Sequence, residues 1–429
     1  MGTEIDLTIA GITLEWSKNM MGADHGFLFQ AGDLTRRMSD QVRYEETDGH
    51  EQHDAAFVRR LGRVIPRLDL LGHSIDSARI AYEQAVGDAT QMAAEMTSIE
   101  LPNEFMSFEE FGAFCRRYPL SDLDDRDVVP GSEEEAKMPP GRFAAHADEI
   151  RRIPCEPDYY PWLAMQGRSE RGYLGSKVFV LDAYSMLQVL GQDGANANAE
   201  MVWLYGPLVE SGWEDASSFF AGARRKGRVL VATEGSSDAS IVKRALEVLR
   251  PDVADFFDFI DVNESHPFWG TGGLVKFGEG LVRIDVQNMI LFLLDNDAEG
   301  MDAYRRLGRL GMPANMRAMV LPDHDAFRSF RARGPEGVSM SDINGRAAAI
   351  ECYLDLELPQ YAPAQVLWSN YKKDVDAWQG ALEFKETYAK HFYDQSEEAL
   401  VSGNYDTSKL EVVLDGLIAE ATIVATSRI

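Results

Sequence analysis

The sequence predicts a parallel α/β domain set between an all-α N-terminal half and a mainly helical C-terminal extension. Three observations carry this. Between Gly227 and Asp323, four short apolar runs, RVLVATEG, FDFIDV, MILFLLDND and MRAMVLPD, alternate with amphipathic stretches; strands alternating with helices at such spacing form parallel sheets. Before Gly227, apolar residues recur at spacings of three and four, the period of a helix face. After Gly337, the segments GRAAAIECYLDLEL, 373–394 and 408–424 show the same period, with one strand-like run, AQVLW. The predicted domains are residues 1–222, 223–336 and 337–429.

In chain order, residues 54–98 read as helix interrupted at Pro66, because proline lacks the N–H that a helix interior needs. A second helix starts near Ser107 with FEEFGAFCRR. Residues 121–142, acidic and rich in Pro and Gly, read as a linker. Residues 143–222 read as mainly helical around VFVLDAYSMLQVL and MVWLYGPLVESGW. In the α/β segment, SDASIVKRALEVLR follows the first strand as a helix capped by Ser236 or Ser237. LVRIDVQNM reads as a helix before the third strand, and WGTGGLVKFGEG as a linker. AEGMDAYRRLGRLG is a helix stopped at Gly311.

Composition narrows the function. At 429 residues, 45% hydrophobic and 10% aromatic, the chain is globular and holds two or three domains. No apolar run reaches the roughly 18–20 residues of a membrane span. The N-terminus lacks a basic region before an apolar one, and Gly2 has no basic support for lipidation, so neither secretion nor a membrane partner is expected. Cys115, Cys155 and Cys352 are far apart and form no CxxC pair, which points away from zinc and disulfides and toward the cytoplasm. The net charge of −28 opposes broad attraction to nucleic acid. The excess acid is nevertheless unevenly spread: residues 224–336 hold 16 Lys or Arg against 17 Asp or Glu. No GxxxxGK[ST] occurs, so an ATPase would have to be a separate partner.

Two motifs carry chemistry. Glu234, in TEGSSD, ends the first strand; Asp295 and Asp297, in LLDNDAEG, end the third. Parallel strands share one C-terminal edge, where ligands bind. The three carboxylates can therefore converge, and a cluster of like charges calls for a hard cation, Mg2+ or Mn2+, that activates water and polarises a phosphoryl oxygen. The plainer alternative is that Asp297 caps the next helix and Glu234 is a solvated loop acid. Asp238, one helical turn after Glu234, either joins the metal set or charges the helix N-terminus. Gly235 is expected to give a sharp turn and close approach to phosphate.

The pair of motifs, EG after one strand and Asp295-Asn296-Asp297-Ala298-Glu299-Gly300 after a later one, resembles the Toprim domain, a Rossmann-like parallel sheet found in topoisomerases, primases and overcoming-lysogenisation-defect nucleases. The resemblance runs from Gly227 to about Arg333. It implies that Glu234 is a general acid/base or metal ligand, that Asp295 and Asp297 bind magnesium, and that Glu299 serves a second metal or supports the first. The nucleases also use a lysine near the metals, for which Lys276 is the nearest candidate. His324, in LPDHD after the fourth strand, and Arg328, Arg331 and Arg333 are candidate contacts to the substrate backbone. Glu351 is a distant candidate for a second metal site, with Asn344 near the start of its predicted helix. With no zinc-binding module and no tyrosine module of the topoisomerase kind, strand passage and priming are not expected.

The opening MGTEIDLTIAGITLEWSKN, the later RLDLLGHSI and the Toprim segment together resemble bacterial proteins with a HEPN/Toprim N-terminal domain. HEPN domains are helical bundles, and many are ribonucleases with an arginine followed a few residues later by a histidine. Arg67 and His73 have that spacing, as do Arg317 and His324. The leucines between Arg67 and His73 favour a structural or dimerising role, so a homo-oligomer is expected. Proteins of this architecture are associated with defence against phage. The leading expectation is a metal-dependent endonuclease acting on DNA or RNA. The alternatives are a HEPN-type ribonuclease with a regulatory Toprim domain, and a non-catalytic module that binds metal or nucleic acid.

Overall fold

The computed structural model describes residues 2–38, 53–95, 102, 104–129, 131–132, 138–154, 169–260 and 270–427. Cys155, residues 130 and 133–137 of the predicted linker, and Asp261 and Val262 of the second predicted strand lie outside them. The chain divides into two compact units, Met1–Asp69 with His73–Gly222, and Leu70–Gly72 with Ala223–Ile429.

The first unit corrects the all-α expectation. It is built on a five-stranded antiparallel sheet, ordered β2-β1-β5-β4-β3, from β1 (Glu4–Ile9), β2 (Ile12–Lys18), β3 (Leu34–Met38), β4 (His53–Arg60) and β5 (Glu200–Leu204). The periodicity is two: Ile5, Leu7 and Ile9 are buried and alternate with Asp6 and Thr8. On β5, Met201 and Trp203 are buried in the same way. Runs this short do not distinguish strand from buried helix by periodicity alone, and AAFVRR and MVWL therefore read as helix. The predicted break at Pro66 is also absent. The α1 helix (Leu61–Leu70) runs through it, and the chain breaks instead before α2 (Ile75–Glu95). Two expected helices form, α3 (Phe108–Arg116), with a capping box between Ser107 and Glu110, and α4 (Ala183–Gly191), capped by Asp182.

The second unit contains the expected parallel sheet, ordered β10-β8-β6-β7, from β6 (Val229–Thr233), β7 (Phe257–Phe259), β8 (Met289–Leu294) and β10 (Met316–Val320). All six residues of β8 are buried because both faces are covered. Met289, Leu291 and Leu293 pack with α5 (Ser236–Leu249) and α9 (Ser408–Thr426). Ile290, Phe292 and Leu294 pack with α6 (Gly270–Arg283) and α7 (Ala298–Gly308). The α6 helix occupies the glycine-rich stretch read as a linker, and the helix expected at LVRIDVQNM is only its end. Leu274, Val275 and Gly278 face inward at helical spacing and hold it on the sheet.

The C-terminal extension is less helical than expected. A mixed sheet, ordered β12-β11-β14-β15, is formed by β11 (Phe330–Gly334), β12 (Gly337–Ser341), β14 (Val366–Lys372) and β15 (Ala377–Leu382). The helix read at GRAAAIECYLDLEL is instead β13 (Ala347–Ala348) and a 3-10 turn, Ile350–Tyr353. Its three alanines and Ile350 are apolar enough for a helix, but β13 pairs with the two-residue β9 (Asn296–Asp297), and this tertiary contact decides its conformation. Of residues 373–394, the first half forms β15 and only Lys385–Tyr393 is helix, α8. No described helix is long and apolar enough to cross a membrane.

Candidate active site

The site lies at the C-terminal edge of the parallel sheet. In-register pairing of β6 with β8 sets Thr233 beside Leu293, so Glu234 leaves the sheet level with Leu294, one residue before Asp295. The contact between the two acids is direct: the Asp295 N–H donates to Glu234 Oε1 at 3.1 Å. Asp238, in the first turn of α5, accepts from the N–H of the N-cap residue Gly235 at 3.0 Å and so caps the helix start. Asp297 caps α7, its Oδ1 accepting from the Glu299 and Gly300 N–H groups at 2.9 and 2.7 Å. The capping roles weighed from the sequence are therefore real for Asp238 and Asp297, and they coexist with membership in one cluster.

A fifth carboxylate arrives from the C-terminal extension. The β9–β13 pairing, Asp297 opposite Ala347, brings the following 3-10 turn to the sheet edge. There the Ile350 N–H donates to Asp295 Oδ1 at 3.1 Å, and buried Glu351 accepts from Ser237 Oγ at 2.8 Å. The sole cation paired with Glu351 among the described residues is Lys385, at 3.8 Å.

These acids are under-compensated. Burial, with the charges of Asp297 and Asp238, pushes Glu234 up to about 9. Burial and Glu351 push Asp238 up to about 7, against opposing pulls from the Gly235 N–H and the Lys385 charge. Asp295 is raised well above its ordinary value by burial and by Asp238 and Glu234. Asp297 is raised by burial despite its helix-cap bonds. Grouped carboxylates with raised affinity for protons mark functional sites more often than structural ones.

Each of these four carboxylates has at least one oxygen fixed by the protein. Glu234 Oε1, Asp238 Oδ2, Asp295 Oδ1 and Asp297 Oδ1 all accept backbone N–H groups. Among the described residues, no hydrogen bond reaches Glu234 Oε2, Asp238 Oδ1 or Asp295 Oδ2. Also among them, no three His, Cys, Asp or Glu side chains already stand in metal-holding geometry. The donor set is nonetheless all oxygen and anionic, the kind that Mg2+ and Mn2+ take.

The motif glycines differ in role. Gly235 is extended (φ −148, ψ 172), a conformation open to any residue, so it makes no sharp turn. A Cβ there would meet only Asp238 Oδ2, at 3.6 Å. Gly300 is a steric requirement: a Cβ would lie 2.1 Å from the Asp295 carbonyl oxygen and 3.1 Å from Glu234 Oε1. Gly300→Ala is expected to lower stability by about 1–3 kcal/mol, as overpacking does, measurable by denaturant unfolding. Stability within about 0.5 kcal/mol of wild type would contradict this close approach.

The remaining candidates are dispersed. Lys276 is an exposed residue of α6 with no ion pair to the cluster; the lysines that meet its acids are Lys385, on Glu351, and Lys372, on Glu299 at 2.6 Å. His324 caps a 3-10 turn, its Nδ1 accepting from the Ala326 N–H, while its own N–H donates to Asn344 Oδ1. Arg328 pairs with Asp325 and Arg333 with Glu383, and Arg331 donates to Gln365. Ser237, read from the sequence as a possible helix cap, instead donates to Glu351, and Gln379, Lys372 and Lys385 are not singled out by the sequence. These three carry no motif, and only the β9–β13 and β14–β15 pairings bring them to the sheet edge.

In the first unit, Arg67 is fully buried and donates to the Phe27 and Phe29 carbonyls at 2.8 and 3.0 Å. His73 packs edge-on against Tyr184, rings 4.7 Å apart, and burial lowers its proton affinity. Arg67 therefore braces a loop from inside the core. Arg67→Leu is expected to cost about 2–5 kcal/mol, because it strands two buried carbonyls; a melting temperature equal to wild type would contradict this.

Taken by fold, the second unit is a three-layer α/β sandwich with an acidic sheet edge, and the first is a mixed α and β unit. The family model of the HEPN/Toprim N-terminal domain 1 matches residues 1–227. The chain belongs to the HEPN/Toprim family, whose two domain types point at a coarse level to nuclease-like function. No curated protein and no solved structure matches the chain.

Proposed function

We propose that the chain is a metal-dependent nucleic-acid endonuclease that hydrolyses phosphodiesters at the Glu234, Asp295 and Asp297 edge, and that it serves bacterial defence against phage. The observation that carries this reading is the clustering of four carboxylates, Glu234, Asp238, Asp295 and Asp297, whose affinity for protons is raised, beside a fifth, Glu351, that pairs with Lys385. Such a cluster is costly to fold unless a cation relieves it.

Asp295, Asp297 and Glu234 would hold Mg2+ or Mn2+, with Glu299 and Asp238 as further acids. A bound divalent cation supplies Lewis-acid polarisation of the phosphoryl oxygen and an activated water. Glu234, whose proton affinity burial raises to about 9, is suited to carry a proton to or from the reacting oxygen near neutral pH. Lys385 and Lys372 supply positive charge beside it, the role expected of Lys276. His324, Arg328, Arg331 and Gly235 remain candidate contacts to the substrate backbone.

The test separates this reading from a ribonuclease in the first unit. Under the proposal, His73→Ala retains metal-dependent cutting and Asp297→Ala loses it; the reverse result moves the chemistry to the first unit. Substrate class, DNA or RNA, is read from the same assay. Homo-oligomerisation and a separate ATPase or regulatory partner are part of the proposal, and size measurement and co-purification check them.

A further inference from the structure

Gln379 stands on β15, in a segment with no recognisable motif, and its amide is bonded at both ends to the Asp297 loop. Its Nε2 donates to Asp297 Oδ2 at 2.5 Å, and its Oε1 accepts from the Glu299 N–H at 3.1 Å. Asp297 Oδ1 already accepts two N–H groups, from Glu299 and Gly300. A carboxylate oxygen accepts through two lone pairs. Oδ1 is therefore filled, and Oδ2 keeps one lone pair, whose direction is set by the bond from Gln379.

The position of Gln379 is itself locked. The neighbouring Gly380 donates to the Arg346 carbonyl at 3.2 Å, next to the β13 residue that pairs with Asp297. A Cβ at Gly380 would lie 2.6 Å from Val366 Cγ1 and 3.0 Å from Ala347 Cβ, so the hairpin is pressed against β13 with no room to slide. Across the same hairpin, Lys372 on β14 pairs with Glu299 at 2.6 Å. The β14–β15 hairpin thus holds two consecutive acids of the DNDAEG loop, one by a neutral donor and one by a cation.

We propose that Gln379 is a positioning residue for cation capture by Asp297, and that the β14–β15 hairpin is a working part of the acidic site. This rests on the metal reading of that site. Gln379 takes one lone pair of Oδ2 without adding charge, leaving Asp297 a single oriented acceptor. Partners that orient ligands in this way typically change metal affinity by about 10–100-fold when removed.

The test is a titration of the full chain with Mn2+, read by the loss of the free-ion electron paramagnetic resonance signal, with melting of the metal-free protein followed in parallel. Gln379→Met keeps the volume and removes both hydrogen bonds; Gln379→Asn keeps an amide but falls one methylene short. Wild type is expected to bind Mn2+, and both variants to bind about 10–100-fold more weakly while still melting cooperatively. If wild type binds and both folded variants bind equally well, Gln379 is only a structural residue and the proposal is overturned. If wild type itself binds no Mn2+, the metal reading beneath the proposal fails first, and this one with it. Should Gln379→Met not fold, the Gln379→Asn titration decides alone.

Discussion

Glu234→Gln is expected to lower metal-dependent cleavage by about a thousand-fold or more, a typical cost of removing a group that acts only as charge develops in the transition state. The argument is geometric. Glu234 Oε1 is held by the Asp295 N–H, which a glutamine oxygen accepts equally well, so the backbone contact survives. What is lost is the charge and the proton-carrying capacity of Oε2. Near neutral pH the buried Glu234 of the metal-free protein must take up a proton on folding, a cost that glutamine does not carry, so the metal-free variant is expected to melt at a higher temperature than wild type there. Opposite signs for activity and stability distinguish a functional cluster from a structural one. A variant that loses stability and activity together would contradict the assignment.

The second large effect is the pH dependence of stability. Glu234, Asp238, Asp295 and Asp297 all have folded-state proton affinities above their ordinary values. For an acid raised in this way, the stabilising contribution is full below the unfolded value, about 4. It is then lost as pH rises through the folded value, here about 7 for Asp238 and about 9 for Glu234. In the presence of a chelator, the melting temperature of the second unit is therefore expected to fall between about pH 5 and about pH 9. Saturating Mn2+ binds only the ionised acids, so it is expected to stabilise most at the alkaline end. Asp295→Asn is expected to flatten the chelated profile. A chelated melting temperature that instead rises steadily across this range would show that the four acids are not under-compensated.

Much of the second unit was legible in the sequence because its signals are local. The run MILFLL is apolar at every position since both faces of β8 are covered, and Glu234 and Asp295 follow directly from strand ends. Asp297 and Asp238 were visible for two reasons at once, as acids beside the cluster and as caps. The errors arise where a nonlocal contact overrides a local pattern. GRAAAIECY has helical periodicity, yet two backbone pairs with Asn296 and Asp297 make it a clamp that delivers Glu351. Gln379 and Lys385 lie more than 80 residues from Asp297 and are tied to the cluster through strand register and a turn, so no spacing rule reaches them. In the first unit, five strands of five to eight residues are too short for their alternation to stand out from the helical pattern around them. Arg67, which has the spacing of a catalytic arginine, is instead a core brace because its guanidinium faces the Phe27 and Phe29 carbonyls.

The most direct test of the central claim is cleavage of mixed DNA and RNA substrates by the full chain with Mg2+ or Mn2+, comparing wild type with Glu234→Ala and Asp297→Ala. Cutting that requires the metal and disappears in both variants is the predicted result, and it names the substrate; cutting that persists in both would contradict a catalytic role for the carboxylate edge.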